Sequence, residues 1–407
     1  MSANLRRPLA FLGATLLASV ALLGIASPVS AATVTLAPGD SINAAILAAQ
    51  PGDTIVLPDG IYTGAVAVDK VVTLAGATPR GAIITGAVTV TAPATITGLT
   101  LGGGVIVNAA GAGTTISNNT ITGSGQLIAV IGTPLSSTLT TVVSGNTIEN
   151  VGAAGQPNGL YLNNASSVDI VGNIIRNTGA VPANSVGVNV ANGLGDLIIA
   201  GNTISGFENA IAVLSTAAPA ITAVVIDGNT ISNTTNSAVV FSNANLSDVA
   251  VTNNSFTSVG TSGPTRAAVQ VGVPGLAAPA GSPGLDALVI YDNTVTTAPN
   301  GVVFSAGVVL ADNESAVVSN NTFAGVTGSA IAVDPSVNAS VAAPDNDLGG
   351  AAVTGNVVVT AAAVPLPVAP GLAATGPADV LPLAAGALLL LLLGTMLIRR
   401  RTAGDAG

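Results

Sequence analysis

Apolar residues follow two different patterns along this chain. Long, predominantly apolar runs occur only near the ends, at Leu9 to Ile25 and Val380 to Ile398. Between them Val, Ile and Ala are interleaved with Thr, Ser, Asn and Gly, the chemistry of short, half-buried strands. One six-residue pattern recurs there: ISNNTI at Ile116 to Ile121, VSGNTI at Val143 to Ile148, IVGNII at Ile170 to Ile175, IAGNTI at Ile199 to Ile204 and IDGNTI at Ile226 to Ile231. It continues as VTNNSF at Val251 to Phe256, IYDNTV at Ile290 to Val295, VSNNTF at Val318 to Phe323 and VTGNVV at Val353 to Val358.

The shared asparagines are Asn119, Asn146, Asn173, Asn202, Asn229, Asn254, Asn293, Asn321 and Asn356, separated by 27, 27, 29, 27, 25, 39, 28 and 35 residues. Three positions before each and two after it stands Ile, Val or Phe. Apolar residues five apart cannot share one face of a flat strand, so the chain must bend between them. The Gly, Asn or Asp that precedes each asparagine tolerates the left-handed backbone of such a bend. Apolar pairs between copies, Leu160/Leu162, Val186/Val188, Ile211/Val213 and Val269/Val271, supply a third strand. Three short strands per turn of roughly 27 residues predict an all-β, right-handed parallel β-helix of about a dozen coils. Its stacked asparagines form a hydrogen-bonded ladder that satisfies the backbone of the bends.

Upstream, Asp40-Ser41-Ile42-Asn43-Ala44-Ala45-Ile46 reads as a short amphipathic helix. Pro51-Gly52-Asp53-Thr54-Ile55-Val56-Leu57 and Gly60-Ile61-Tyr62 then lead into the first coil. With this opening and its repeats, the chain resembles the parallel β-helix repeat family of the pectate-lyase-like superfamily over about Thr33 to Thr360. The helix would cap the open end of the solenoid against edge pairing. Such a resemblance is specific for fold and not for activity.

The ends predict export and anchoring. A cationic start, the run Leu9 to Ile25 and the small residues Val29-Ser30-Ala31 make 1–31 a signal peptide cleaved after Ala31. Residues 32–360 form the β-helix domain and 361–371, with Pro365, Pro367 and Pro370, a semi-rigid stalk. Residues 380–398 are long enough for a transmembrane helix, and Arg399-Arg400-Arg401 open a positively charged cytoplasmic tail, 399–407. Leu372-Ala373-Ala374-Thr375-Gly376, placed just before that span, resembles the L-A-x-T-G sorting signals of class E sortases of actinobacteria. The resemblance implies that sortase cuts between Thr375 and Gly376 and joins Thr375 to an amine of the peptidoglycan cross-bridge, leaving the protein on the cell wall.

Composition narrows the chemistry of the middle. The 407 residues include no cysteine and no histidine, so thiolate chemistry, disulfides, histidine bases and histidine metal sites are excluded. Net charge is -10, and between residues 32 and 375 only Lys70, Arg80, Arg176 and Arg266 are basic. So few cations exclude nucleic acid as a partner. Enzymes of the resembled superfamily include lyases that use an Arg or Lys base, often with Ca²⁺ held by acids. Arg266, in the insertion Thr257 to Ala287, and Arg176 are the candidate bases. Arg176 also shares a rung with Glu149, which fits a surface ion pair. Asp345 and Asp347, and Asp312 and Glu314, present alternating oxygen ligands of the type Ca²⁺ takes, although Asp and Asn also favour turns. No Asp-Asp pair or histidine of the polygalacturonase-like hydrolases is present.

Two functions are therefore expected. The first is a non-catalytic, surface-anchored module that contacts an extracellular polysaccharide or host glycan, or mediates adhesion. The second is a polysaccharide lyase or related enzyme acting on acidic polysaccharide.

Overall fold

A computed structural model describes residues 30–359 except 38, 134–136, 152–156, 194, 215–222, 242–245, 273–283, 307 and 311–315. Among the described residues, strands form three wholly parallel sheets of 14, 11 and 12 strands, here called A, B and C. Each coil passes from A through B to C before returning to A one level further along. Sheet A runs from Thr33–Thr35 to Val357–Val358, sheet B from Gly60–Tyr62 to Thr322–Phe323, and sheet C from Val66–Val68 to Ala352–Thr354. This is the expected three-strand parallel β-helix.

Register across coils stacks like on like. In sheet A, Ile116, Val143, Ile170, Ile199, Ile226, Val251, Ile290 and Val318 form one buried column. Sheet B contributes Ile121, Ile148, Ile175, Ile204, Ile231, Phe256, Val295 and Phe323. Each buried Val, Ile or Leu is worth about 1.5–3 kcal/mol, so stability scales with the number of coils. In sheet C, Leu160 pairs with Val188 and Leu162 with Val190, and Val186 lies level with Asn158. The equivalent pair is thus Val188/Val190, one step beyond the expected Val186/Val188; three apolar residues spaced two apart leave that choice to the neighbouring strands.

Where sheet B turns into sheet C, the core needs small residues. A Cβ at Gly187 would lie 2.7 Å from Ile204 Cγ2, and one at Gly301 would lie 2.4 Å from Phe323 Cε1. Glycine there lets the strand close over the large side chains of sheet B.

The opening helix, Ile42–Ala48, is capped by Ser41, whose Oγ accepts the Ala44 N–H at 3.3 Å, and it buries Ile42 and Ile46 on the first coil. Asn43 fastens it to the first strand of sheet C: Oδ1 accepts from Ala67 N at 2.9 Å and Nδ2 donates to Ala65 O at 3.0 Å. Lys70 Nζ donates to Leu47 O and, at 2.8 Å, to Ala49 O, holding the other end of the helix.

Among the described residues no helix is long and apolar enough to cross a membrane. The predicted span 380–398, the stalk 361–371, the sorting motif 372–376, the tail 399–407 and residues 1–29 of the signal peptide lie outside the described residues.

Candidate functional site

The asparagine ladder occupies the corner between sheets A and B. Each Oδ1 accepts both the backbone N–H and the amide of the asparagine one coil earlier; Asn173 N and Nδ2, for instance, reach Asn202 Oδ1 at 2.9 and 3.0 Å. Each Nδ2 also donates to the carbonyl of the inward-facing residue in the preceding coil, as Asn202 does to Ile170 O at 2.8 Å. At the start, Leu99 N donates to Asn119 Oδ1 at 2.9 Å. The residue before each asparagine has φ between 56° and 63°, from Asn118 and Gly145 to Asn320 and Asp345.

The ladder corrects one expected member. Its last rung is Asn346, which receives Asn321 N at 2.9 Å and donates to Val318 O at 2.8 Å. Asn356 is exposed, and Val353, three residues before it, belongs to sheet C, paired with Ile331. The local motif around Asn356 matches, but its strand lies in a different sheet.

The same finding bears on the candidate Ca²⁺ ligands. Asp345 and Asp347 flank the inward-turned Asn346 and are exposed, Asp345 in the positive-φ position of the bend and Asp347 accepting Gly349 N at 3.1 Å. These roles belong to the turn. Among the described residues no three acidic side chains gather around a common point. Asp312 and Glu314 lie outside the described residues, as do Leu372, Ala373, Ala374, Thr375 and Gly376.

Arg176 is held by Glu149, its Nη2 2.8 Å from Oε2, in the register that pairs the two residues across sheet B. Arg266 stands apart from it. It precedes the sheet C strand Ala267–Val271, is half-buried, and among the described residues makes no ion pair. Its carbonyl accepts Asn300 N at 3.1 Å and Asn300 Nδ2 at 2.9 Å, which fixes the backbone from the next coil.

Beside Arg266 the outer side of sheet C carries a column of mixed polarity. Residues between the inward pairs point outward by strand alternation: Tyr161, Asn189, Ala212, Val240 and Gln270 occupy successive coils. Gln270 is buried; its Oε1 accepts Ser237 Oγ at 2.6 Å and its Nε2 donates to Ser305 Oγ at 3.3 Å. Along the sheet B edge, Glu208 accepts the Asn184 N–H and, at 3.3 Å, Asn236 Nδ2. Glu208 and Arg266 belong to coils on either side of Asn236, a separation of about 10 Å at the usual strand spacing.

Several amide atoms in this region lack partners: Asn158 Oδ1 and Nδ2, Asn189 Oδ1, Asn209 Oδ1 and Asn236 Oδ1 are buried without one. Each such atom costs about 1–3 kcal/mol. Asn189 is on the outer side of sheet C, whereas Asn158 and Asn209 share strand parity with the inward pairs Leu160/Leu162 and Ile211/Val213. Sequence reading missed these residues because their adjacency is made across coils. The available signal was the residue between each apolar pair.

A second acidic feature lies outside on sheet A. Asp169 is in register with Val142 and Ile198, and burial, with Asp196 adding to it, holds its carboxyl above the usual carboxylate range.

Together these elements define a three-sheet parallel β-helix. Residues 103–271 match the family model for a right-handed beta helix region. Among solved structures, the chain is similar to the catalytic unit of a thermostable GH87 alpha-1,3-glucanase from Streptomyces thermodiastaticus strain HF3-3, at 20% identity and TM-score 0.54, covering 82% of this chain and 68% of that one. It is also similar to the Agl-KA catalytic domain, at 14% identity and TM-score 0.50, covering 83% and 69%. No curated protein matches the sequence.

Proposed function

We propose that this chain is an exported, cell-wall-anchored β-helix that contacts glycan through the outer face of sheet C. The observation that carries this reading is the outer side of sheet C where Tyr161 and Asn189, both partly exposed, stand in register on adjacent coils. Sugar hydroxyls both donate and accept, so they complement a phenol hydroxyl and an amide presented side by side. The similarity to an alpha-1,3-glucanase catalytic unit supports carbohydrate as the ligand class. The leader 1–31 and the ordered series of sorting motif, apolar span and arginines support display on the wall, with sortase and the peptidoglycan cross-bridge as processing partners.

Affinity electrophoresis of the purified protein through gels containing alpha-1,3-glucan, alginate or pectin tests the glycan reading. Retardation that is lost in Tyr161→Ala and Asn189→Ala but retained in Arg176→Ala is expected. Equal mobility with and without every polysaccharide would overturn it. Mass spectrometry of wall-released protein should find Thr375 as the last residue, and intact Gly407 in the wall fraction would reduce the tail to a membrane anchor.

Cleavage of an acidic polysaccharide is the second reading, favoured by the position of Arg266 at the edge of the same face, without an ion-pair partner among the described residues. A rise in unsaturated-product absorbance that disappears in Arg266→Ala would establish it.

A further inference from the structure

The first residue seated in the solenoid is Ala32. Its carbonyl accepts Thr54 N at 2.8 Å, and Thr33–Thr35 then pairs along Thr54–Val56. Its N–H donates to Asp53 Oδ1 at 2.7 Å, while Gln50 N donates to Asp53 Oδ2 at 2.7 Å. Asp53 is 5% exposed. Both carboxylate oxygens are therefore held by backbone N–H groups, and no cation touches either. Lys70 is the other charged group acting on Asp53, and it does so through space, because its Nζ is bonded to Leu47 O and Ala49 O. A nearly buried carboxylate held by neutral N–H groups gains when one of those donors acquires a positive charge.

Ser30, Ala31 and Ala32 are exposed, and Val29-Ser30-Ala31 is the small-residue sequence expected before a leader-peptidase cut. We propose that removal of the leader completes this site: cleavage of the Ala31–Ala32 bond makes the Ala32 nitrogen the counter-ion of Asp53 and fastens the first strand. Water adds across the peptide bond under a leader peptidase. Ala31 leaves as a carboxylate, and the Ala32 nitrogen takes up protons to become an α-ammonium. One of its three hydrogens keeps the existing direction to Asp53 Oδ1, so no rearrangement is needed. The uncut chain has only a neutral amide there, so the mature form holds its first strand more firmly than the precursor.

The direction with pH follows. An α-ammonium paired with a carboxylate has its pKa raised above the ordinary value of about 7.7–8.0. Its contribution is complete below that value and is lost as pH rises through the folded pKa. The backbone N–H groups of Ala32 and Gln50 hold the Asp53 carboxyl below its ordinary range, so its own contribution is present above about pH 4 and falls away as the carboxyl protonates.

The inference rests on reading 1–31 as a leader, and the first measurement separates the two. The N-terminus of the exported protein is determined by mass spectrometry; any first residue other than Ala32 overturns the processing site. The latch is then measured on the full chain beginning at Ala32, whether exported or released from a tag, by following acylation of the α-amine against pH in native and urea-unfolded protein. The native amine should titrate about one pH unit or more above the unfolded one, and Asp53→Asn should abolish the difference. Should Asp53→Asn not fold, a chain retaining Ala31 as its first residue serves instead, and its melting temperature should fall below that of the Ala32 chain. Equal titration in the native and unfolded states, or equal melting of the two chains, would overturn the latch.

Discussion

Asn346 Oδ1 accepts both the backbone N–H and the side-chain amide of Asn321, at 2.9 and 3.0 Å. The ladder therefore ends inside the sequence Asp345-Asn346-Asp347 and not at Asn356. Asn346→Ala should cost about 1–3 kcal/mol by stranding the Asn321 donors and Val318 O. Asn356→Ala should stay within about 0.5 kcal/mol. Urea unfolding of the two variants checks this; equal losses would return Asn356 to the ladder.

A rung in the middle should matter more. Asn202→Ala removes the acceptor of two Asn173 donors and the donors to Ile170 O and Asn229 Oδ1. A loss of about 2–4 kcal/mol is expected. Amide hydrogen exchange should rise first at Asn173, whose N–H is left unpaired, and unchanged protection there would count against the ladder as a main support.

Gly301 admits no side chain, since a Cβ would meet Ala330 O and Phe323 Cε1, each at 2.4 Å. Gly301→Ala should destabilise by about 1–3 kcal/mol through overpacking. The paired change Gly301→Ala with Phe323→Leu should recover part of that loss in thermal melts, because the ring is one of the two obstacles.

The Arg176–Glu149 pair is half exposed, with side-chain exposures of 46% and 21%. Solvent screening limits it to less than about 1 kcal/mol. Arg176→Ala should shift the urea midpoint only slightly and leave polysaccharide retardation unchanged. Loss of retardation would move the contact surface from sheet C to sheet B.

Asp169 gives the acid side of the stability profile. Its pKa is raised by burial first and by Asp196 second. A carboxyl with a raised folded pKa contributes stability that is complete below its unfolded value, near pH 4, and is lost as pH rises through the folded value. At neutral pH the charged form is thus a burden, and Asp169→Asn should melt higher at pH 7, with the difference vanishing near pH 3. A variant that melts lower at pH 7 would show that the carboxylate is satisfied there.

The solenoid could be read from sequence because each coil repeats its own local code. An asparagine flanked by inward residues at fixed offsets is visible without knowing what lies above or below it. The last rung escaped because Ala343 and Pro344 replace the usual Ile-x or Val-x before the bend, although Ala343 is buried in the expected place. Asn356 looks like a rung because Val353 and Val358 imitate the offsets, while sheet membership depends on pairing with Ile331, a long-range fact. The sheet C face is long-range in the same sense. Ser237 and Gln270 belong to different coils, and nothing within either strand indicates that Asn189 Oδ1 or Asn209 Oδ1 lacks a partner. The pairing of Glu149 with Arg176 was legible because both stand three residues after a ladder asparagine.

The asparagine ladder has a further consequence. Every rung offers the same two donors to the coil that follows and the same acceptor to the coil that precedes, and the 39-residue interval from Asn254 to Asn293 closes with the same 2.9 Å contact as the shorter ones. A coil can therefore be duplicated, deleted or enlarged by an outward loop without altering how its neighbours join. The length of such a solenoid is a heritable variable, adjustable in steps of about 4.8 Å, while its cross-section stays fixed.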